Sequence, residues 1–322
     1  MPQADRRLGQ TGAVSDSTDR ADAGGTFRSG FVCFVGRPNA GKSTLTNALT
    51  GSKVAITSSR PQTTRHAVRG IVHRPDAQLV LVDTPGLHKP RTLLGQRLND
   101  LVRETYAGVD VVCQCIPADE KVGPGDRFIA AELAEVKTPV LAVVTKTDKA
   151  SKKQIGEQLL AVNDLADWAE VVPVSAVEDF QVQLLADLLV ARLPSGPALY
   201  PDGELTDEPE QVLVAELVRE AALEGVRDEL PHSLAVTVEE MGLREGRSAD
   251  NALLDVYATL HVERSSQKAI VLGHGGSRLR EVGTTARLQI ERLLGTKVYL
   301  NLHVSVAKDW QRDPKQLRKL GF

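Results

Sequence analysis

The segment Gly36–Ser43 constrains the fold of this chain more than any other, because it reads G-R-P-N-A-G-K-S. An apolar run, Phe31–Val35, precedes it, and a helix-compatible segment, Gly41–Thr50, begins within it. A glycine-rich turn between a strand and a helix brings backbone N–H groups around phosphate oxygens at the helix N-terminus. The pattern G-x-x-x-x-G-K-[ST] in this setting therefore predicts a phosphate-binding loop for a nucleotide.

Two side chains of this loop have predicted roles of their own. We expect Lys42 to reach the β- and γ-phosphates and the Ser43 hydroxyl to bind Mg²⁺. The other residues of this stretch that are expected to contact the nucleotide are Gly36, Arg37, Pro38, Asn39, Ala40, Gly41 and Thr44.

Apolar runs and helix-compatible segments alternate on both sides of the loop. Runs rich in Val and Leu are typical of strands covered on both faces, and they fall at Phe31–Val35, Leu79–Val82, Val109–Ile116, Val140–Val144 and Val171–Val174. Helices are expected over Gly41–Thr50, Gln96–Ala107, Arg127–Glu135, Lys153–Leu165 and Val182–Leu193. This alternation predicts an α/β fold with a doubly wound, mostly parallel sheet, to which Ala67–His73 would add an antiparallel edge strand.

A second nucleotide motif follows the Leu79–Val82 run and consists of Asp83, Thr84, Pro85 and Gly86. An Asp at the carboxyl end of a parallel strand beside a phosphate-binding loop is placed to hold Mg²⁺ directly or through water. The backbone N–H of Gly86 would meet the γ-phosphate. Alone these four residues predict a turn, but beside the first motif they indicate a nucleotide triphosphate site.

A third motif, at the ends of two later strands, concerns the base. Asp148 can accept hydrogen bonds from N1–H and the exocyclic amine of guanine, a donor pair that adenine lacks. Thr145 and Lys146 precede it, and Ser175 and Ala176 follow the next strand, where a backbone N–H could meet the base carbonyl. The motif therefore favours GTP and GDP over adenine nucleotides.

Together these motifs resemble the translation-factor class of GTPases. That family has Asn-Lys-x-Asp at the base site, where this chain has Thr145 in place of Asn. The resemblance implies that Thr64 completes the Mg²⁺ shell, with Thr63 as the runner-up. Leu87 stands where many GTPases have a water-orienting Gln, which implies slow intrinsic hydrolysis. Asn39 matches members that use K⁺ beside the phosphates, so Lys42, Thr64, Gly86 and Asn39 form the expected catalytic set.

The segment Leu193–Pro209 carries four prolines and two glycines, which is typical of a linker. After it the expected elements are a helix, two strands, two helices and a last strand, at Gln211–Leu223, Leu234–Glu240, Leu254–Val262, Ser265–Leu272, about 277–294 and 298–306. We therefore expect a disordered tail over residues 1–29, a nucleotide unit over 30–194, a linker over 195–209 and an α+β unit over 210–322.

The stretch Gly273, His274, Gly275 and Gly276 between two predicted helices is a G-x-x-G loop. A KH domain clamps about four nucleotides on such a loop, because glycines let the RNA backbone approach closely. A flexible helix connection is the alternative reading of the loop alone. The flanking basic residues favour RNA, and they are Lys268, Arg278, Arg280 and Arg287.

The net charge of −3 hides a segregation along the chain. Residues 205–263 carry 4 basic and 14 acidic residues, whereas residues 264–322 carry 12 basic and 4 acidic residues. The positive excess therefore falls on the segment with the G-x-x-G loop, where phosphates would lie. Cys33, Cys113 and Cys115 lie in apolar runs and are expected to be buried reduced thiols, as in a cytosolic protein.

One GTPase unit followed by a strand–helix–GxxG–helix–strand unit resembles the Era family of bacterial ribosome-assembly GTPases. The similar stretches are Gly36–Leu45, Pro61–His66, Asp83–Pro90, Glu263–Arg287 and 308–322. The resemblance implies a type II KH domain that binds the 3′ end of 16S rRNA in maturation of the 30S subunit. It further implies a monomeric, cytoplasmic protein that uses GTP/GDP, Mg²⁺ and, as a hypothesis, K⁺, with peripheral membrane association.

Two other functions remain open on the sequence. The chain could be an RNA-binding protein whose nucleotide site is a structural brace, although Lys42, Ser43 and Asp83 favour hydrolysis. It could also be a P-loop ATPase or small-molecule kinase, which Asp148 and the G-x-x-G unit disfavour.

Overall fold

The computed structural model describes residues 26–58, 63–224 and 233–322. Residues 1–25 of the predicted tail, and Pro61 and Gln62 of the stretch before Thr63, lie outside the described residues. The predicted tail boundary at residue 29 is too late, because Arg28 already begins the first strand and Gly196 N donates to the Phe27 carbonyl oxygen.

The first unit is built on a six-stranded sheet with the order β2-β3-β1-β4-β5-β6. Only β2 runs antiparallel, paired with β3, so the predicted edge strand and the parallel sheet are both confirmed. The strands are β1 (Arg28–Gly36), β2 (Val68–His73), β3 (Ala77–Asp83), β4 (Val111–Pro117), β5 (Val140–Thr145) and β6 (Glu170–Pro173).

Among the described residues, five helices cover the two faces of this sheet, as the continuous apolar strands require. They are α1 (Lys42–Thr50), α2 (Leu93–Ala107), α3 (Pro124–Leu133), α4 (Lys152–Asn163) and α5 (Val182–Val190). On β1, Val32 and Phe34 pack into the core on one face, and Cys33 and Val35 pack into the core on the other. All three cysteines are buried and free of disulfides.

The predicted linker is attached to the edge of the sheet. Ile71 N of β2 donates to the Leu205 carbonyl oxygen at 2.9 Å. The Gln78 amide oxygen accepts from Leu199 N and Tyr200 N at 2.6 and 2.9 Å. Because the Ile71 N–H belongs to the edge strand β2, the linker covers part of an edge that could otherwise pair with another strand.

The second unit packs helices on one face of a three-stranded sheet with the order β7-β8-β9. β7 pairs antiparallel with β8, and β8 pairs parallel with β9. Its elements are α6 (Glu210–Leu223), β7 (Ala235–Leu243), β8 (Leu253–Val262), α7 (Ser265–Leu272), α8 (Ser277–Leu294), β9 (Lys297–Val306) and α9 (Pro314–Lys319). This arrangement confirms the predicted α+β unit; α9 was not predicted.

The segment after β9 joins the two units. Trp310 and Leu317 are fully buried against Leu94 and Leu98 of α2 in the first unit. The Trp310 indole N–H donates to the Ser233 carbonyl oxygen at 3.1 Å. No helix in the described part of the chain combines the length and the apolar composition needed to cross a membrane.

Candidate nucleotide and RNA sites

The phosphate-binding loop lies at the carboxyl end of β1 and opens α1. Gly41 has φ +87°, and Asn39 also has a left-handed backbone with φ 61°. A Cβ on Gly36 would lie 2.7 Å from the Cys115 carbonyl oxygen of β4. The glycine therefore lets the loop pack directly against the neighbouring strand.

Lys42 is buried beneath this loop. Its ammonium group donates to the Arg37 and Gly36 carbonyl oxygens at 3.1 and 3.4 Å. Burial lowers the pKa of Lys42, and the nearby Asp83 carboxylate opposes that change. The side chain is thus held inside the cavity where phosphates would lie.

Three oxygen-bearing side chains from different elements converge beside Lys42. The Ser43 hydroxyl donates to Asp83 Oδ2 at 2.6 Å and lies 2.9 Å from the Thr64 hydroxyl, which donates to the same carboxylate oxygen at 3.0 Å. Burial raises the pKa of Asp83, while Lys42 lowers it. Asp83 Oδ1 is buried and has no hydrogen-bond partner among the described residues. Hard oxygen donors in this arrangement fit Mg²⁺.

The loop after Asp83 supports the site. The Thr84 hydroxyl is buried and donates to the Phe34 carbonyl oxygen at 2.7 Å, so it braces β1. A Cβ on Gly86 would lie 2.5 Å from Pro38 N. Pro85 and Gly86 therefore bring this loop against the phosphate-binding loop. Leu87 is 2% exposed and packs in the core, away from the cavity.

The predicted base site is a small cavity of about 90 Å³ that shares Gly41, Thr44, Lys146 and Lys149 with the cavity over the phosphate-binding loop. Asp148, Lys146, Thr145 and Ala176 line it. The Ser175 hydroxyl donates to Asp148 Oδ1 at 2.7 Å, which orients the carboxylate. The Thr145 hydroxyl donates to the Ala40 carbonyl oxygen at 2.7 Å. The threonine thus ties the base site to the phosphate-binding loop with its hydroxyl.

The main cavity, of about 630 Å³, contains most of the predicted phosphate and Mg²⁺ residues. Arg37 does not line it; the guanidinium of Arg37 pairs with Asp126 at 2.8 Å and with Glu120 at 3.2 Å. Several lining residues were not predicted: Ile56, Thr57, Ser58, Glu120, Lys149, Leu223 and Glu224. Ile56, Thr57 and Ser58 could have been found from the sequence, because they precede the predicted Thr64 loop. Nothing in the sequence places Leu223 and Glu224 of the second unit in this cavity.

The G-x-x-G loop forms a tight exposed turn between α7 and α8. Gly273, Gly275 and Gly276 have φ values of +69°, +58° and +76°. A Cβ on Gly273 would lie 2.8 Å from that of Arg278, whereas a Cβ on Gly275 or Gly276 would meet no atom within 4 Å. The first glycine therefore allows internal packing, and the other two leave the surface open to a ligand. His274 between them is exposed.

An open groove of about 300 Å³ continues from this loop between α8 and β9. The predicted Arg280 and Arg287 line it, together with residues that were not predicted: Leu279, Gly283, Thr284, Leu300 and Leu302. Arg280 donates to the Gly275 carbonyl oxygen at 2.7 Å, and Arg287 pairs with Glu291 at 3.0 Å. Small and apolar residues at helical spacing on α8 were a usable signal for this groove.

Two of the predicted RNA residues lie elsewhere. Arg278 donates to the Ala222 and Glu224 carbonyl oxygens at the end of α6. Lys268 lies half-buried on α7, outside the residues that line the groove.

These sites and folds define a P-loop GTPase unit joined to a KH RNA-binding unit. A family profile described as a 50S ribosome-binding GTPase matches residues 31–146, and a KH domain profile matches residues 229–311.

The chain is 67% identical to GTPase Era of Streptomyces coelicolor over 96% of this chain and 100% of that protein. It is 68% identical to GTPase Era of Mycobacterium tuberculosis over 92% and 99%. A crystal structure of Era in complex with MgGDPNP and nucleotides 1506–1542 of 16S ribosomal RNA superimposes with a TM-score of 0.87 and 35% identity, over 92% and 99% of the two chains. The chain belongs to the Era family of GTPases.

Proposed function

We propose that this protein hydrolyses GTP at the Lys42–Asp83 site and binds the 3′ end of 16S rRNA through its KH unit during maturation of the 30S subunit. The observation that carries the proposal is the convergence of Ser43, Thr64 and Asp83 oxygens beside the buried Lys42. The complex of an Era relative with MgGDPNP and a 16S rRNA segment supports both halves of it.

In the nucleotide site, backbone N–H groups of residues 39–44 and the ammonium of Lys42 would bind the phosphates. Ser43 and Asp83 would hold Mg²⁺, and Thr64 would complete its shell. When bound, Mg²⁺ neutralises charge that develops on the phosphate oxygens. The N–H of Gly86 would add a donor to the γ-phosphate. Positioning and charge stabilisation are thus the main contributions of the protein to hydrolysis.

Guanine recognition rests on Asp148, oriented by Ser175. Replacing Asp148 with Ala should lower GTP affinity about 100-fold, since the guanine donors then lose a charged acceptor in a confined cavity. Competition between labelled GTP and unlabelled ATP measures the selectivity. Equal competition by ATP in the wild type would support an ATPase instead.

Asn39 is the proposed K⁺ residue, because it lies in the cavity wall where a monovalent cation could sit beside the phosphates. We expect faster hydrolysis in K⁺ than in Na⁺ buffer for the wild type, and a reduced difference for Asn39→Asp. Equal rates in the two salts would reject this part of the proposal.

RNA binding is assigned to the open groove and the G-x-x-G loop, where Arg280 and Arg287 supply positive charge. The groove is shallow and lined by small and apolar residues, which suits splayed single-stranded bases. Lys268, Arg278 and His274 are proposed as outer contributors. Crosslinking the bound RNA in cells and sequencing it tests whether the 3′ end of 16S rRNA is the target.

The decisive experiment uses Lys42→Ala. Single-turnover hydrolysis should fall at least about 100-fold, because a phosphate-binding charge is lost, while affinity for a 16S rRNA 3′-end oligonucleotide with no nucleotide added stays within twofold. Unchanged slow turnover in both proteins would instead support a structural nucleotide site.

GTP-dependent ordering of the loops around Thr64 and Gly86 is the proposed switch that controls RNA affinity. The oligonucleotide should bind differently in the presence of GDP and of a non-hydrolysable GTP analogue; equal affinities would reject the switch. We place the protein in the cytoplasm, with peripheral membrane contact, and cell fractionation tests both locations.

A further inference from the structure

The segment that carries Thr64 is embedded in the second unit. Ile56 is 7% exposed and belongs to the apolar core of the KH unit, beside Leu217 and Leu223 of α6. Residues 53–58 and 63–66, which we call the switch segment, thus lie between the phosphate-binding loop and α6.

Two adjacent charged residues of α6 hold the backbone of the switch segment at two places. Glu220 Oε1 accepts a hydrogen bond from Thr57 N at 2.8 Å, and Glu220 also pairs with Lys53. Arg219 donates to the Thr63 carbonyl oxygen. Thr57 and Thr63 are six positions apart in the sequence, so the two bonds hold the switch segment in both of its described parts.

Burying these two charged side chains costs desolvation free energy. This cost indicates that they do more than hold the two units together. Arg219 is 1% exposed and Glu220 is 3% exposed. A contact between two apolar surfaces of similar volume would hold the units together with less desolvation. Apolar side chains, however, cannot fix a backbone N–H and a backbone carbonyl in one geometry, whereas a carboxylate and a guanidinium can.

Thr64 follows Thr63 directly, and its hydroxyl reaches Ser43 and Asp83. We infer that Arg219 and Glu220 are positioning residues of the GTPase site: α6 of the KH unit sets Thr64 for the Mg²⁺ and γ-phosphate of GTP. This inference rests on the proposed function and adds two residues from the RNA-binding unit to it.

The end of the same helix lines the nucleotide cavity and contacts the start of α8. Leu223 and Glu224 line the nucleotide cavity, and Arg278 beside the G-x-x-G loop donates to the Ala222 and Glu224 carbonyl oxygens. The helix that positions Thr64 is therefore bonded to the start of α8, directly after the G-x-x-G loop, which gives the positioning a physical route toward the RNA site.

The test compares Glu220→Ala and Glu220→Gln with Glu210→Ala in the full chain, since Glu210 is an exposed residue at the start of α6. Affinities for GDP and for a non-hydrolysable GTP analogue, and single-turnover hydrolysis, are measured in the same buffer. Glu220→Ala should lower analogue affinity and hydrolysis about tenfold, and Glu220→Gln about threefold, because the amide oxygen still accepts from Thr57 N. GDP affinity should stay within twofold, since Thr64 is placed for the γ-phosphate end.

A purely structural role would lower the affinities for GDP and for the analogue equally, and that outcome would overturn the inference. So would wild-type values in folded Glu220→Ala. If Glu220→Ala does not fold, the test rests on Glu220→Gln. An equal ratio of analogue affinity to GDP affinity in Glu220→Gln and in the wild type would overturn the inference. A wild type that neither binds nor hydrolyses GTP would reject the proposed function, whereas an active wild type with unaffected variants rejects only the positioning role.

Discussion

The phosphate-binding loop and the G-x-x-G loop are both rich in glycine and both assigned to phosphate groups, but the first is buried and the second is exposed. In the phosphate-binding loop, Gly36 packs against the Cys115 carbonyl oxygen and Lys42 is only 6% exposed. In the G-x-x-G loop, Gly275 and Gly276 face open space. Gly36 thus allows close packing within the protein, whereas Gly275 and Gly276 leave space for a ligand.

This difference follows from what each site has to do. A nucleotide that is hydrolysed has to be held by fixed dipoles with little competing water. An RNA chain passes through its site and needs access along a groove. Substitutions in the two loops should therefore fail in different ways.

Among the substitutions that compare the two loops, Gly36→Ala is expected to have the strongest consequence. Its Cβ would clash with the β4 backbone, so we expect a stability loss of about 2 kcal/mol and at least a tenfold loss of nucleotide affinity. Chemical denaturation and GDP titration measure the two effects. Gly156→Ala at an exposed position of α4 is the control, since its Cβ would meet no atom within 4 Å and alanine favours the helix. Wild-type nucleotide affinity in Gly36→Ala would contradict the packing role of this glycine.

Gly275→Asp should lower RNA affinity without changing the fold. Asp tolerates a left-handed backbone, so the fold should persist, while its carboxylate repels phosphates and lowers RNA affinity about tenfold. Fluorescence anisotropy with a 16S rRNA 3′-end oligonucleotide measures the loss, and GTP hydrolysis without RNA serves as the internal control. Gly246→Asp, at another exposed turn with positive φ, should bind RNA as the wild type does.

Phe322→Ala probes the region where the two units meet. Phe322 stacks on His66 of the switch segment with ring centroids 5.1 Å apart, and on Trp310 at 5.7 Å. Removing the ring should cost about 1–2 kcal/mol, because stacked and half-buried aromatic area is lost. The free energy of unfolding measures it. Phe322→Leu should recover part of the loss, and identical stability of all three proteins would contradict the packing role.

The smallest effect is a pH dependence at His66. Burial lowers the pKa of His66, so the unfolded chain binds the proton more tightly than the folded protein. Stability from this group is therefore full above the unfolded pKa of about 6.5 and decreases as the pH falls through it. We expect His66→Phe to reduce the difference in unfolding free energy between pH 7.5 and 5.5 by less than about 1 kcal/mol. His274→Gln on the exposed loop is the control, and an unchanged difference in His66→Phe would contradict the assignment.

Elements with local signals could be predicted from the amino-acid sequence. Gly36–Ser43 is a contiguous motif, and the Val-rich runs specify buried parallel strands because their apolar pattern requires cover on both faces. The G-x-x-G loop and the alternation along β8 and β9 are local in the same way, so the α+β unit was also predictable.

Contacts that join distant segments could not be predicted from the sequence and are seen in the fold alone. Ile56 lies in the core of the other unit, Arg278 binds the end of α6, and Arg219 binds the switch segment. Each of these side chains has an ordinary pattern along its own element, since periodicity reports which face is buried but not what covers it. The partner depends on how the surfaces of the two units meet, which no local sequence pattern encodes.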